Sequence, residues 1–312
     1  MAGKILSLKI DVDTWRGTHI GVPCLLNILK RHDTFATFLF SLGPDHTGRA
    51  IKRVFRKGFL KKVSRTSVVE HYGLKTLLYG TLLPGPDIGY REAELMRTVR
   101  DAGHEVGIHC WDHIRWQDNV ARQSAKWTQN EMHRAANRFK EIFGSSARTH
   151  GAAGWQMNPS AFACEQELGF EYASDVRGSC PFQPVDDRGG LLGVPQIPTT
   201  LPTLDELIGD NGLTEENVHR HLLGLTEEHG QPHVYTLHAE LEGMRLSTVF
   251  EKLLSGWHQQ GYRLGSCRDA FDSLDTTRLP KHRIVMGEVA GRSGILALQD
   301  PIAYSAKTSL QM

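Results

Sequence analysis

The chain has 312 residues, of which 40% are hydrophobic and 23% charged, proportions typical of a soluble globular protein with a sizeable core. Its net charge of +1 gives no electrostatic argument for a nucleic-acid partner. The five cysteines are scattered and form no Cys-x-x-Cys pair, so we expect reduced thiols. We see no signal-peptide pattern and no apolar run near the roughly 18 residues that span a bilayer. These features predict a protein that is cytoplasmic or peripheral to a membrane.

The first predicted strand, over residues 4–13, ends in acidic residues. A strand period of two places Asp11 and Asp13 on the same face. Two close carboxylates repel each other unless a cation or a shared proton lies between them. A solvated strand end or a helix N-cap is an equally good interpretation at this point. A helix over 19–31 and a strand over 34–40 follow, and this βαβ order predicts a parallel sheet.

Residues 46–90 interrupt the alternation of strands and helices. Between Ile51 and Arg65 there are seven basic residues and no acidic one, with apolar residues near helical spacing on the opposite face. Such a segment is typical of a helix in a membrane interface, where each basic residue adds roughly 1 kcal/mol near an anionic leaflet. The alternative is a surface helix that packs its aromatic residues into the protein's own core. The residues assigned to membrane contact are Lys52, Arg53, Phe55, Arg56, Lys57, Phe59, Lys61 and Lys62.

The stretch Gly103–His113 has the most distinctive pattern, an apolar alternation that ends at His109 with a second histidine at His113. If a strand ends at the first histidine and a helix follows, both imidazoles project to one side and can bind one divalent metal ion. Because the chain has sixteen histidines, this spacing alone does not establish a metal site.

The βα alternation resumes after residue 90 and continues to about residue 275. Helices are predicted over 91–102, 128–143, 159–168, 214–229 and 247–260, and strands over 149–154, 170–174, 194–198 and 233–237 and from 262. Several predicted strands end in metal-binding or proton-transferring residues, namely Asp11 and Asp13, His109, Asp175 and His238. Because the carboxyl ends of parallel strands build the site in α/β folds, the sequence predicts a metal-dependent active site at that edge.

These motifs resemble those of the NodB-homology polysaccharide deacetylases. Gly103–His113 matches the family's His-x-x-x-His motif, and Leu237-His238 matches its last motif. Asp11-Val12-Asp13 stands where the family has two adjacent aspartates, and Arg148 loosely meets a third motif built around an arginine. The resemblance implies an α/β fold, an irregular (β/α)₇ barrel over residues 1–275. It would carry a membrane-associating insertion at about 46–90 and a C-terminal tail over 276–312.

Within the family, the chain resembles the branch that deformylates undecaprenyl-phosphate-linked 4-deoxy-4-formamido-L-arabinose. The residues that carry this likeness are Ile10–Thr18, Gly154-Trp155, Ser174–Gly178, His238–Glu240 and Gly287–Val289. It implies release of formate and 4-amino-4-deoxy-L-arabinose-phosphoundecaprenol, for lipid A modification and resistance to polymyxin and cationic antimicrobial peptides. The enzyme would be peripheral on the cytoplasmic face of the inner membrane. Its partners would be the lipid-linked sugar and an anionic membrane surface.

The expected metal ligands are Asp13, His109 and His113, a set that suits Zn²⁺, Mn²⁺ or Co²⁺. Asp11 is the expected general base and His238 the general acid that protonates the leaving amine. Asp175 is expected to favour the acid form of that histidine, and Arg148 to orient Asp11. Substrate contacts are assigned to Arg16, Tyr90, Trp155, Arg177 and Glu240.

Two other functions stay open. A deacetylase of another N-acylated glycan or glycolipid would use the same residues, although a cell-wall enzyme should carry a signal peptide and would not need the basic segment. A non-catalytic, membrane-bound glycolipid-binding protein would not require both Asp11 and His238. A zincin protease is disfavoured, because His-Cys-Trp-Asp-His lacks the glutamate of His-Glu-x-x-His.

Overall fold

The computed structural model describes residues 4–50, 76–229 and 231–304. The strands are β1 (Ile5–Val12), β2 (Thr37–Ser41), β3 (Glu105–Cys110), β4 (Thr149–His150), β5 (Tyr172–Ala173), β6 (Gln183–Val185), β7 (His233–His238), β8 (Arg263–Gly265), β9 (Lys281–Glu288) and β10 (Ile295–Ala303). The α-helices are α1 (Val22–Arg31), α2 (Ile88–Arg91), α3 (Ala93–Asp101), α4 (His113–Asn119), α5 (Ala125–Phe143), α6 (Pro159–Glu167), α7 (Leu204–Leu207), α8 (Val218–His229), α9 (Ser247–Gln259) and α10 (Cys267–Asp272).

Seven parallel strands form the main sheet, in the order β5-β4-β3-β2-β1-β7, and β8 pairs with the start of β1. Residues 194–201 bridge the gap between β5 and β7. On one side Ile197 N donates to Ala173 O at 2.8 Å, and on the other Thr200 N donates to Val234 O at 3.1 Å. The sheet therefore curves into an irregular barrel, which confirms the predicted α/β architecture.

β1 lies between β2 and β7 in the sheet, and nearly all of its residues are buried. Its even-numbered residues belong to the large apolar cluster that the helices share, and its odd-numbered residues from Ser7 onward face the barrel interior. A strand covered on both faces is expected in a parallel sheet whose outer side carries helices. The consequence is that Lys9, Asp11 and the Asp13 that follows lie inside, where polar groups need partners.

Most predicted elements are found close to their expected positions. The helix predicted over 128–143 begins earlier, at Ala125, because Ser124 Oγ accepts a hydrogen bond from Trp127 N. It ends where Gly144 adopts a left-handed conformation with φ of 74°. The stretch 194–198 forms isolated bridges rather than a regular strand, because it passes between two strands and pairs with each only locally.

The sequence predicted a C-terminal tail from residue 276, but residues 276–304 contain two strands. β9 and β10 pair antiparallel, and β6 pairs parallel with β9 in a second, three-stranded sheet. Arg177 N donates to Ala297 O at 3.1 Å, and Gln299 Oε1 accepts from Ser179 N at 2.7 Å. The hairpin is therefore part of the domain. The sequence did not predict it because charged residues interrupt the apolar alternation of β9.

The residues assigned to membrane contact, from Lys52 to Lys62, lie outside the described residues. In the ranges that the structure describes, no helix is both long and apolar enough to cross a bilayer.

His104, just before β3, should make the stability of the fold depend on pH. Its Nδ1 accepts a hydrogen bond from Ala36 N at 3.2 Å, and burial lowers its pKa from 6.5 to about 4. Because the unfolded chain binds the proton more readily, this stabilisation is complete above about pH 6.5. It is lost as the pH falls towards 4 and amounts to about 3 kcal/mol at most.

We expect His104→Asn, whose Oδ1 can accept the same hydrogen bond, to flatten the dependence of Tm on pH between 6.5 and 4. Calorimetry at several pH values measures this, with the exposed His221→Asn as the control. A variant whose Tm falls as steeply as that of the wild type would contradict the assignment.

Candidate active site

Three side chains converge where β1 and β3 end. Asp13 Oδ1 lies 3.2 Å from His109 Nε2, and Asp13 Oδ2 lies 3.4 Å from His113 Nε2. The two imidazole rings are stacked with their centroids 5.3 Å apart. One ligand atom from each residue lies within 4.8 Å of the others. The structure thus brings together the three residues that the sequence predicted as metal ligands.

The turn between β3 and α4 explains why the two histidines meet. Asp112 caps the helix, with its Oδ1 accepting from Arg115 N at 3.0 Å, so that α4 begins at His113. The other carboxylate oxygen of Asp112 lies 2.6 Å from His46 Nδ1. This capped turn directs His113 back towards His109.

A backbone carbonyl orients His109. Its Nδ1 donates to Gly151 O at 2.6 Å, which places a proton on that nitrogen and turns Nε2 towards Asp13. Histidines that bind metals usually have such a partner on the second nitrogen. Gly151 fits closely, because a Cβ there would lie 2.2 Å from Leu39 Cδ1.

Glu240 holds the turn that carries Asp13. Its Oε1 accepts hydrogen bonds from Asp13 N at 3.1 Å, from Thr14 N at 2.8 Å and from Thr14 Oγ1 at 2.7 Å. A Cβ on Gly17 would lie 1.9 Å from the same oxygen, so a larger residue here would displace the Glu240 carboxylate. Burial and the nearby charge of Asp13 raise the pKa of Glu240 well above its usual value. Glu240, predicted as a substrate contact, is therefore a buried support of the ligand turn.

The electrostatics of the cluster fit a cation. Asp13 Oδ1 and His109 Nε2 are buried and have no hydrogen-bond partner in the residues that the structure describes. This arrangement is costly unless another ligand satisfies them. Burial alone would raise the pKa of Asp13, but the attraction of His113 and His109 outweighs it and lowers the pKa below its usual value. Two imidazole nitrogens and one carboxylate match a 2-His-1-carboxylate set with open positions. The residues present therefore fit one divalent ion.

The expected base and acid stand beside this cluster. Asp11 on β1 and His238 on β7 are Cα partners in the strand register. Asp11 and His238 are therefore neighbours, whereas we expected from the sequence that His238 would lie across the mouth of the barrel from Asp11. His238 N donates to Glu242 Oε2 at 3.0 Å, and Asp11 Oδ1 lies 3.9 Å from His109 Nδ1.

Asp175 is not the partner of His238. Its Oδ1 lies 2.7 Å from His150 Nδ1 and accepts from Ala152 N at 2.8 Å, in a fully buried group that includes Glu165. Burial alone would raise the pKa of Asp175, but the attraction of His150 outweighs it and lowers the pKa. Asp175 therefore fixes the loop whose Gly151 carbonyl orients His109.

Arg148 does not contact Asp11. Its side chain is 61% exposed and its Nε donates to Glu171 Oε1 at 2.6 Å. It precedes β4, three strands away from β1 in the sheet. The cation beside Asp11 is Lys9, whose Nζ lies 3.5 Å from Asp11 Oδ2. We missed Lys9 in the sequence, although the period of two that places Asp11 and Asp13 on one face also includes it.

The remaining predicted substrate contacts differ in their exposure. Trp155 is buried, and Lys9, Arg177 and Arg292 surround its ring with cation-to-centroid distances of 5.3, 5.1 and 4.6 Å. Arg177 Nη1 also donates to Glu206 Oε1 at 2.6 Å. These two predicted residues therefore belong to an interior wall that the β9–β10 hairpin completes.

Arg16 is half-buried in the turn after Asp13, and Tyr90 on α2 is 81% exposed. Arg16 is three residues from Asp13, a candidate metal ligand, whereas Tyr90 lies in a different segment of the chain.

Comparison with known proteins gives close sequence relatives. Residues 4–173 match the polysaccharide deacetylase family. The chain is 37% identical over 305 residues, 97% of both chains, to a Shewanella sediminis protein named "Probable 4-deoxy-4-formamido-L-arabinose-phosphoundecaprenol deformylase ArnD". A Wigglesworthia glossinidia brevipalpis protein of the same name is 32% identical over 288 residues, covering 92% of this chain and 99% of its own length.

Solved structures give the same fold at much lower identity. A polysaccharide deacetylase structure from Mycobacterium smegmatis has a TM-score of 0.61 at 16% identity, covering 92% of this chain and 96% of its own. One from Pseudomonas aeruginosa PAO1 has a TM-score of 0.57 at 16% identity, covering 85% and 88%. The family resemblance predicted from the motifs is confirmed: the chain belongs to the polysaccharide deacetylase family and is a hydrolase that acts on a carbon–nitrogen bond.

Proposed function

We propose that the chain hydrolyses the formamide of undecaprenyl-phosphate-linked 4-deoxy-4-formamido-L-arabinose to formate and the free amino sugar. One observation carries the proposal: Asp13, His109 and His113 cluster beside Asp11 and His238, in a chain 37% identical over 97% of its length to a protein named for this reaction. The product serves lipid A modification, and through it resistance to polymyxin and cationic antimicrobial peptides.

Asp13, His109 and His113 hold one divalent ion in this proposal, Zn²⁺, Mn²⁺ or Co²⁺. Such an ion supplies Lewis acidity, which polarises the formyl oxygen and lowers the pKa of a water in the site. The His109 Nδ1–H bond to Gly151 O keeps the ligand nitrogen aimed at the ion site. Glu240 holds Asp13 in place through the backbone of the same turn.

Asp11 and His238 move the protons. Asp11 takes a proton from the water as the water oxygen bonds to the formyl carbon, and His238 donates a proton to the sugar nitrogen as the carbon–nitrogen bond breaks. Without that donor the nitrogen would have to leave as an anion. Because the two residues are register partners on adjacent strands about 4.8 Å apart, both can reach the same formamide group.

The substrate's polyprenyl chain stays in the bilayer, so the enzyme has to work at the membrane surface. The basic segment from Lys52 to Lys62 has the charge for an anionic inner-membrane surface, although it lies outside the described residues. Downstream of it, Leu82 and Tyr90 are each 81% exposed. We place these apolar side chains, with the basic segment, against the cytoplasmic face of the inner membrane.

The direct test is formate release by the full chain from a synthetic formamido-arabinosyl polyprenyl phosphate, followed by mass spectrometry. We expect turnover that a chelator abolishes and that added Zn²⁺, Mn²⁺ or Co²⁺ restores, because the amide is inert to water without a Lewis acid.

The matched controls are the N-acetyl analogue of the same lipid-linked sugar and an N-acetylated oligosaccharide. Faster turnover of either would assign the chain to a deacetylase function instead. Binding of the formamido substrate without any turnover would indicate a glycolipid-binding protein, and full activity in excess chelator would refute metal dependence.

Substitutions should separate two classes of site residue. Asp11→Ala and His238→Ala should retain a stoichiometric metal ion but lower kcat by about 10²–10⁴, the usual contribution of a general base or acid. His113→Ala should lose the ion itself, as measured by elemental analysis after desalting. Arg148→Ala, on the surface, should stay within about twofold of the wild type in both measurements. Wild-type turnover in His238→Ala would eliminate it as the proton donor.

Membrane association should depend on charge and on the exposed apolar residues. We expect the chain to co-sediment with anionic liposomes and to be released by Lys57→Glu with Lys61→Glu, or by Leu82→Ser with Tyr90→Ser. Turnover of a short-chain, water-soluble substrate analogue should stay unchanged in these variants. Lys126→Glu with Lys252→Glu, at exposed positions on α5 and α9, is the control for the same charge change on another surface. Equal sedimentation of all variants would place the contact on another surface.

A further inference from the structure

Lys9 is an unusual residue in the interior of the barrel. It lies on β1 two residues before Asp11, faces the same side and is 0% exposed. Among the described residues, its Nζ has no hydrogen-bond partner, and its nearest charged atom is Asp11 Oδ2 at 3.5 Å. Lysine is rarely buried completely without a specific role, because removing an ammonium group from water costs several kcal/mol.

The surroundings of Lys9 confine its side chain. The Trp155 ring lies 5.3 Å from Nζ, and the backbone of Gly151 passes so close that a Cβ there would lie 3.0 Å from Lys9 Cε. The Lys9 side chain is therefore confined between the indole ring of Trp155 and the backbone of Gly151. This restriction lets the ammonium group act as a fixed charge beside Asp11.

Asp11 is held between two groups. Its Oδ2 faces Lys9. Its Oδ1 is buried, has no hydrogen-bond partner within the described part of the chain and lies 3.9 Å from His109 Nδ1. The two oxygens are thus distinguished by their neighbours. Oδ2 faces the ammonium group, and Oδ1 lies beside the ring of His109.

We propose that Lys9 is the positioning residue of the general base: it holds the Asp11 carboxylate by Oδ2 so that Oδ1 faces the attacking water. This inference rests on the proposed function, in which Asp11 accepts the water's proton. It gives Lys9 the role that the sequence assigned to Arg148, which lies three strands away on the surface. Lys9 acts only through Asp11 and touches no reacting atom.

The test compares Lys9→Met, which removes the charge at similar volume, with Ser7→Ala. Ser7 is buried on the same face of β1 and hydrogen-bonds to Ser266 O, away from the site. We expect Lys9→Met to lower kcat by about 10–100-fold, because a misplaced general base loses only part of its rate contribution. KM and metal content should stay within about threefold of the wild type. Ser7→Ala should leave kcat unchanged. The kcat of Lys9→Arg should be at least tenfold higher than that of Lys9→Met, because the positive charge is kept.

A double-mutant cycle distinguishes positioning from a general structural role. If Lys9 acts through Asp11, Lys9→Met should lower kcat in the wild-type background but not in the Asp11→Asn background. A crystal structure of Lys9→Met should show the Asp11 carboxylate rotated away from His109. Where Lys9→Met is insoluble, Lys9→Gln provides the same comparison with a neutral side chain.

The inference is overturned if kcat of the Lys9 variant stays within twofold of the wild type, or if Lys9→Met causes the same loss with and without Asp11. It is also overturned if the Asp11 carboxylate keeps its place in the variant structure. The failure of the proposed function looks different, because the wild-type chain would then release no formate.

Discussion

Asp13 contacts both His109 and His113 at the mouth of the barrel. The surrounding hydrogen bonds and buried charges depend on this contact of one carboxylate with two imidazoles. These groups are buried or half-buried, and two of their polar atoms have no hydrogen-bond partner among the described residues. Such an arrangement is costly in a protein interior unless the geometry is held from outside and a further ligand satisfies it. Both conditions agree with a site for a divalent ion.

The site is held from outside by buried hydrogen bonds that converge on the ligands from two directions. Glu240 binds the backbone of the turn that carries Asp13. On the other side, Asp175 binds Ala152 N, and the adjacent Gly151 carbonyl accepts the proton of His109 Nδ1. Asp13 and His109 are thus each held in place by a buried neighbouring group. In metal sites, loss of supporting interactions of this kind typically lowers metal affinity or activity by about 10–100-fold.

The register of the parallel strands brings the two candidate proton-transfer residues to the same place. Asp11 and His238 come from positions 227 residues apart in the chain, yet they are direct partners on β1 and β7. Lys9 stands one step below Asp11 on the same face and neutralises it inside the barrel. Asp11, His238 and the candidate metal ligands therefore occupy one small region without any of them lying on a long loop, and this favours a fixed geometry of the site.

Local sequence patterns by themselves determined which strands end in reactive residues. The period of two placed Asp11 and Asp13 on one face, and a strand ending at His109 with a helix after it predicted the meeting with His113. Tertiary structure alone decided the partners across strands. It placed His238 next to Asp11, paired Asp175 with His150, left Arg148 on the surface and added the β9–β10 hairpin to the wall. The physical reason is that backbone geometry sets the face of a residue within a few positions, whereas the order of strands in the sheet depends on contacts between distant segments.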